Sequence, residues 1–184
     1  MTAGESLLNE ASFRPAGDWD ADIPDDYGVY AIRLAEGSKL PEPFGRILNQ
    51  RGDRLIYIGK GEKQTLLVRL LGNELRAKGN GTFFRSLGAV LGYRPPQGSL
   101  AGRRRQQNYR FAPLDRDAIV KWINRSLEVS WVVLAQNDVR RAEVGLIKRH
   151  TPLLNLQENP RALPELSAVR ALCRQVAVTP GTSR

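Results

Sequence analysis

Short apolar runs and longer amphipathic stretches alternate along the chain, and their two periods divide it into strands and helices. Residues 27–34 (YGVYAIRL) and 54–58 (RLIYI) are β-branched, aromatic and aliphatic runs bounded by polar turns, which predicts two strands. Gly59 and Gly61 follow the second run and read as the break that ends it. From Gln64 onward Leu66, Leu67, Leu70 and Leu71 recur at helical spacing, with Arg69 off their apolar face. After Gly79-Asn80-Gly81, Thr82 reads as the N-cap of a second helix through Phe83, Phe84, Leu87, Val90 and Leu91. Residues 115–125 predict a third helix, 127–135 (LEVSWVVLA) a third strand, and 138–150 and 161–176 two more helices.

The stretches between lack a period. Residues 1–26 read as a surface lead-in with a short helix at 7–13. Residues 36–49, with Gly37, Pro41, Pro43 and Gly45, read as an irregular loop, which makes the first two strands an antiparallel hairpin with a long connection. Residues 92–113 read as an exposed basic loop, and 178–184 as a frayed tail. The fold class is therefore α/β in the α+β sense, a small three-stranded antiparallel sheet flanked by helices. It is organised as a lead-in (1–26), a main domain (27–156) with a basic insertion at about 92–125, and a C-terminal helix and tail (157–184) packed on the same domain.

Composition narrows the classes. A chain of 184 residues can bury the core of one domain. No apolar run approaches the roughly 20 residues that span a bilayer, and the first residues have neither a basic start nor an apolar middle, so a soluble, cytoplasmic protein is expected. The single cysteine, Cys173, excludes an internal disulfide or thiolate cluster, and the single histidine, His150, excludes a two-histidine site. The net charge is +9, and residues 1–30 hold seven acids against Arg14, which leaves about +15 on the rest. Such a surplus points to a polyanion, most commonly nucleic acid, although a merely basic soluble protein has it too. Much of it lies at 94–125, where Arg103, Arg104, Arg105 and Arg110 flank Tyr109 and Phe111, a pattern suited to gripping phosphates and stacking on bases.

Tyr57 at a strand end, Lys60 in the turn and Arg69 on the next helix are placed to converge on one anion, with phosphate the obvious candidate. Alone, these residues equally suit a core tyrosine and solvated charges. In order, Gly28-Val29-Tyr30, Tyr57-Ile58-Gly59-Lys60, Leu66-x-x-Arg69-Leu70, Glu143-x-x-Leu146-Ile147 and Pro152-x-x-Asn155 give a chain that resembles the GIY-YIG endonuclease superfamily from residue 28 to about 155.

The resemblance implies a metal-dependent DNA endonuclease leaving 5′-phosphate and 3′-hydroxyl ends, with RNA left open as a substrate. It implies Tyr30 as general base or water-aligning group, Tyr57 assisting through its hydroxyl, and Lys60 keeping a tyrosine deprotonatable. Arg69 would hold the non-bridging phosphate oxygens, Glu143 the metal, and Asn155 would brace the site. A tyrosine titrating near pH 10 needs such neighbouring cations to act as a base. A lone carboxylate suits Mg²⁺ or Mn²⁺ with most of its waters kept, hence a one-metal mechanism. The family usually carries histidine or tyrosine about one turn beyond the arginine, where this chain has Asn73. Two rivals stay open: a nucleic-acid-binding module without turnover, and a nuclease component active only with a recruiting protein partner.

Overall fold

A computed structural model of the chain describes residues 3–18 and 20–180, so residues 181–184 of the expected tail lie outside the described residues. Its centre is β2 (Gly28–Leu34), a strand buried along its whole length. It pairs antiparallel with β3 (Leu55–Gly61) on one side and β4 (Leu127–Val133) on the other. The sheet has four strands rather than three, because β1 (Arg14–Pro15) adds to the outer edge of β4. Two residues, one of them proline, give no alternation to read, and the pairing is fixed by tertiary contact instead.

The two faces of the sheet divide the core. Tyr30, Ile32, Leu34, Ile56 and Tyr57 pack with α2 (Phe44–Arg51), a π helix (Leu67–Leu75), α3 (Thr82–Val90), α4 (Pro113–Ser126) and α6 (Pro164–Val178). Val29, Ala31, Leu55 and Ile58 face Leu7 of α1 (Ala3–Leu7) and Val139, Leu146 and Ile147 of α5 (Gln136–His150). Each fully buried side chain such as Leu70 or Ile58 contributes about 1.5–3 kcal/mol. Among the described residues no helix is long and apolar enough to cross a membrane.

Several local expectations are corrected. The lead-in forms α1 and a 3-10 turn (Glu10–Ser12) in place of one helix over 7–13. The supposed loop at 36–49 contains the start of α2. There Phe44 and Leu48, four apart, supply an apolar stripe that Pro43 and Gly45 mask in the sequence, and Gly52 ends the helix at φ 63°. β3 does not stop at Gly59: it runs through Gly61, with Gly59 paired to Tyr30. A Cβ on Gly59 would overlap the Tyr30 ring, so this glycine makes room within a strand rather than turning the chain. Residues 92–112 form a connection that packs down instead of standing free. Leu100 N donates to Ala177 O of α6 at 2.7 Å, and Leu100, Tyr109 and Phe111 are buried.

Candidate active site

β2 and β3 bring the two tyrosines together behind one cleft. Their ring centroids lie 6.3 Å apart, and Tyr57 also packs on Phe83 at 5.2 Å. Tyr57, 7% exposed, lines a cleft of about 960 Å³, whereas Tyr30 is 0% exposed and does not reach it. The Tyr30 hydroxyl is sealed without a hydrogen-bond partner of ordinary geometry, although the Arg69 guanidinium is its nearest cation electrostatically. Burial, then the charge of Glu74, pushes both phenols above their ordinary value. The neutral phenol is therefore the favoured form of Tyr30, since desolvation outweighs Arg69.

Arg69 is aimed by the π helix. In this helix Arg76 N donates to Leu71 O, five residues back, so the residue beneath Arg69 is Glu74 rather than the α-spaced Asn73. Glu74, 0% exposed, forms an ion pair with Arg69, its Oε1 lying 3.0 Å from Nη2. It also accepts from the amides of Thr82 (3.2 Å) and Phe84 (3.0 Å). This corrects the N-cap of α3. Gly81 holds the cap position, and the distant Glu74 carboxylate does the work assigned to Thr82, with no room for a Cβ on Gly81 beside it. Burial raises the Glu74 carboxyl above its ordinary value against the pull of Arg69 and the two amides. Asn73 turns away and donates to Gln64 Oε1 at 3.0 Å. Nothing in the sequence flags Glu74 except a carboxylate set in the apolar run LLGNEL.

Lys60, at the end of β3, lies between two carboxylates: Glu143 of α5 at 2.9 Å and Glu62 at 3.1 Å. Both of these ion pairs are to acids that line the cleft. Burial draws the ammonium down, but Glu143 and Glu62 outweigh it and hold Lys60 above its ordinary value. Burial likewise pushes Glu143 above its ordinary value, against the pull of the Lys60 ammonium 2.9 Å away. Asn155 clamps β3 from behind: Ile58 N donates to its Oδ1 at 3.0 Å, and its Nδ2 donates to Ile58 O at 2.8 Å. His150 sits half-buried at the end of α5, away from the cleft lining.

Among the described residues no group of three or more His, Cys, Asp or Glu side chains forms a metal cage. The donor chemistry still fits a Mg²⁺-like ion. Glu143 offers hard oxygens at the cleft, with Glu62 beside it, and the Lys60 ammonium already marks this corner as one that takes a cation.

Tyr57, Lys60, Arg69 and Glu143 all line the same cleft, and basic lining side chains outnumber acidic ones by seven to three. Its lining also takes in Arg85 of α3 and Arg170 and Arg174 of α6, which the sequence reading missed because each stands alone in the chain. The basic run it favoured divides. Arg103, Arg104, Arg105 and Arg110 are exposed outside the cleft lining, and Tyr109 is 1% exposed, so its ring is closed to base stacking. A smaller depression of about 360 Å³ beside Arg51 and Arg161 shares none of these groups.

Antiparallel strands thus bring two tyrosines together beneath a cleft edged by an arginine, a lysine and a glutamate. The chain belongs to the GIY-YIG catalytic domain family, whose model matches residues 28–175. Membership supports a nuclease function, with nucleic acid as the substrate class. Comparison with curated proteins and with solved structures gives no match.

Proposed function

We propose that the protein is a divalent-metal-dependent endonuclease that hydrolyses DNA phosphodiesters to 5′-phosphate and 3′-hydroxyl ends. The observation that carries this reading is one cleft lined jointly by Tyr57, Lys60, Arg69 and Glu143, from three separate elements of the chain. Hydrolysis needs an aligned water, cations for the charge growing on the phosphoryl oxygens, and help for the departing alkoxide. Arg69 holds the non-bridging oxygens, its guanidinium fixed from below by Glu74. Tyr57 meets the water as a neutral phenol and orients it by hydrogen bonding. Tyr30 supports Tyr57 from behind, and Asn155 fixes the β3 backbone that carries Tyr57 and Lys60. Glu143, with Glu62 adjacent, would hold the metal, and Lys60 at the same corner would bind the substrate phosphate. Bound there, Mg²⁺ or Mn²⁺ supplies charge neutralisation and Lewis-acid polarisation of the phosphoryl group. Arg103, Arg104, Arg105 and Arg110 extend the electrostatic contact to flanking DNA.

One observation favours a second reading, binding without turnover. Asn73 points to Gln64, so no histidine or tyrosine fills the position one turn past Arg69. Incubating supercoiled plasmid, single-stranded, branched and RNA substrates with Mg²⁺ or Mn²⁺ separates the two. The nuclease reading expects nicked DNA from the native protein and none from Glu143→Gln. Retained DNA with tight binding would instead support the second reading, and activity appearing only in a mixture would support recruitment by a partner.

A further inference from the structure

We propose that Arg85, Arg170 and Arg174 form a second phosphate site, which holds a backbone phosphate next to the scissile one. This rests on the nuclease reading and adds the path of the strand to it. Arg85 is 9% exposed and lies on the Tyr109 ring, 5.9 Å from its centroid, while the Tyr109 hydroxyl donates to Arg85 O at 3.4 Å. The ring that looked like a base-stacking platform is thus the floor under an arginine. Arg85 Nη1 donates to Asn108 Oδ1 (2.8 Å) and Gln107 O (3.4 Å), both neutral, and its Nε is sealed with no partner. Among the described residues Arg170 donates only to Ser86 Oγ, at 3.3 Å. Arg174 follows four residues later on the same face of α6, and all three arginines line the cleft.

Among the described residues no carboxylate forms an ion pair with any of the three. Burial, and next the charge of Arg170, depresses Arg85, so the fold holds guanidiniums together against both desolvation and mutual repulsion. A solvated basic face would not bury one of its members. Planar guanidiniums left with free donors at a cleft wall match the forked geometry of a phosphodiester.

The site is tested by fluorescence anisotropy with a labelled 20-mer DNA, single-stranded and duplex, without divalent metal, across a series of salt concentrations. Arg170→Ala/Arg174→Ala is expected to weaken binding about tenfold, and to flatten the slope of log K against log salt by about 0.9 per lost duplex contact or 0.7 per single-strand contact. Arg85→Lys, which keeps the charge but loses the fork, is expected to weaken binding as well. Arg46→Ala, on the exposed face of α2, serves as control. Unchanged affinity and slope in the double variant, with a native protein that binds and cleaves DNA, would overturn the second site and leave the nuclease standing. A native protein that neither binds nor cleaves would overturn both.

Discussion

Two clusters of arginines show what each kind of environment is for. At one end of the sheet Arg33 pairs with Glu10 and Glu128, both at 2.6 Å, and Arg54 reaches the same two carboxylates at 3.3 and 3.6 Å. The Arg33 guanidinium also lies 3.9 Å over the Phe13 ring, so every charge there is answered and the lead-in is tied to β2 and β4. The Arg33 hydrogen bond is the chief cause of a Glu10 carboxyl lowered from its ordinary value. In the cleft Arg85 meets an amide oxygen and a carbonyl, Arg170 meets a hydroxyl, and the charge of Arg170 bears on Arg85. Neutralised arginines hold the fold together, while arginines kept from carboxylates leave donors for an anion from outside.

Arg69 belongs to both groups, so its removal has the largest expected effect. Arg69→Ala is expected to slow cleavage by about 10²–10³-fold through loss of transition-state stabilisation. It also leaves Glu74 buried without its cation, which lowers stability by roughly 3 kcal/mol in denaturant unfolding. Full activity in this variant would break the assignment of Arg69 to the phosphate. Next comes the crossed pair that sharpens the comparison. Arg33→Ala is expected to lower the melting temperature by roughly 2–4 °C with DNA affinity unchanged. Arg170→Ala/Arg174→Ala is expected to do the reverse, weakening DNA binding with the melting temperature held or slightly raised. If both variants lose stability alike, the distinction between the clusters fails.

The smallest effect concerns pH. Burial raises both phenols, so their neutral forms dominate up to and beyond pH 10 and no phenolate is available near neutrality. Tyr57→Phe should therefore reduce kcat by the same factor at each pH from about 6 to 9. A penalty that grows tenfold per pH unit would show that the ionised phenol is required.

The elements with a strong period were legible: β2, β4 and the helices at 113–126, 136–150 and 164–178 follow from runs and spacings that burial later uses. What escaped the sequence lay where a long-range partner decides a local choice. Gly59 looks like a turn until Tyr30 is placed opposite it. Glu74 hides because an α-helical count from Arg69 lands on Asn73, and only the π register puts the fifth residue beneath the guanidinium. The loud charge run at 103–105 drew attention, whereas the cleft collects Arg69, Arg85, Arg140, Arg170 and Arg174 one at a time.

The central claim is that this cleft holds a phosphodiester against Arg69 and Tyr57 with a metal on Glu143. Single-turnover cleavage of end-labelled DNA during a Mg²⁺ titration, by the native protein and by Glu143→Gln, tests it most directly. The account predicts a native rate that saturates with Mg²⁺ and falls at least about 10²-fold in the variant while DNA binding persists. Equal rates in the two proteins, or cleavage indifferent to Mg²⁺ and Mn²⁺, would contradict it.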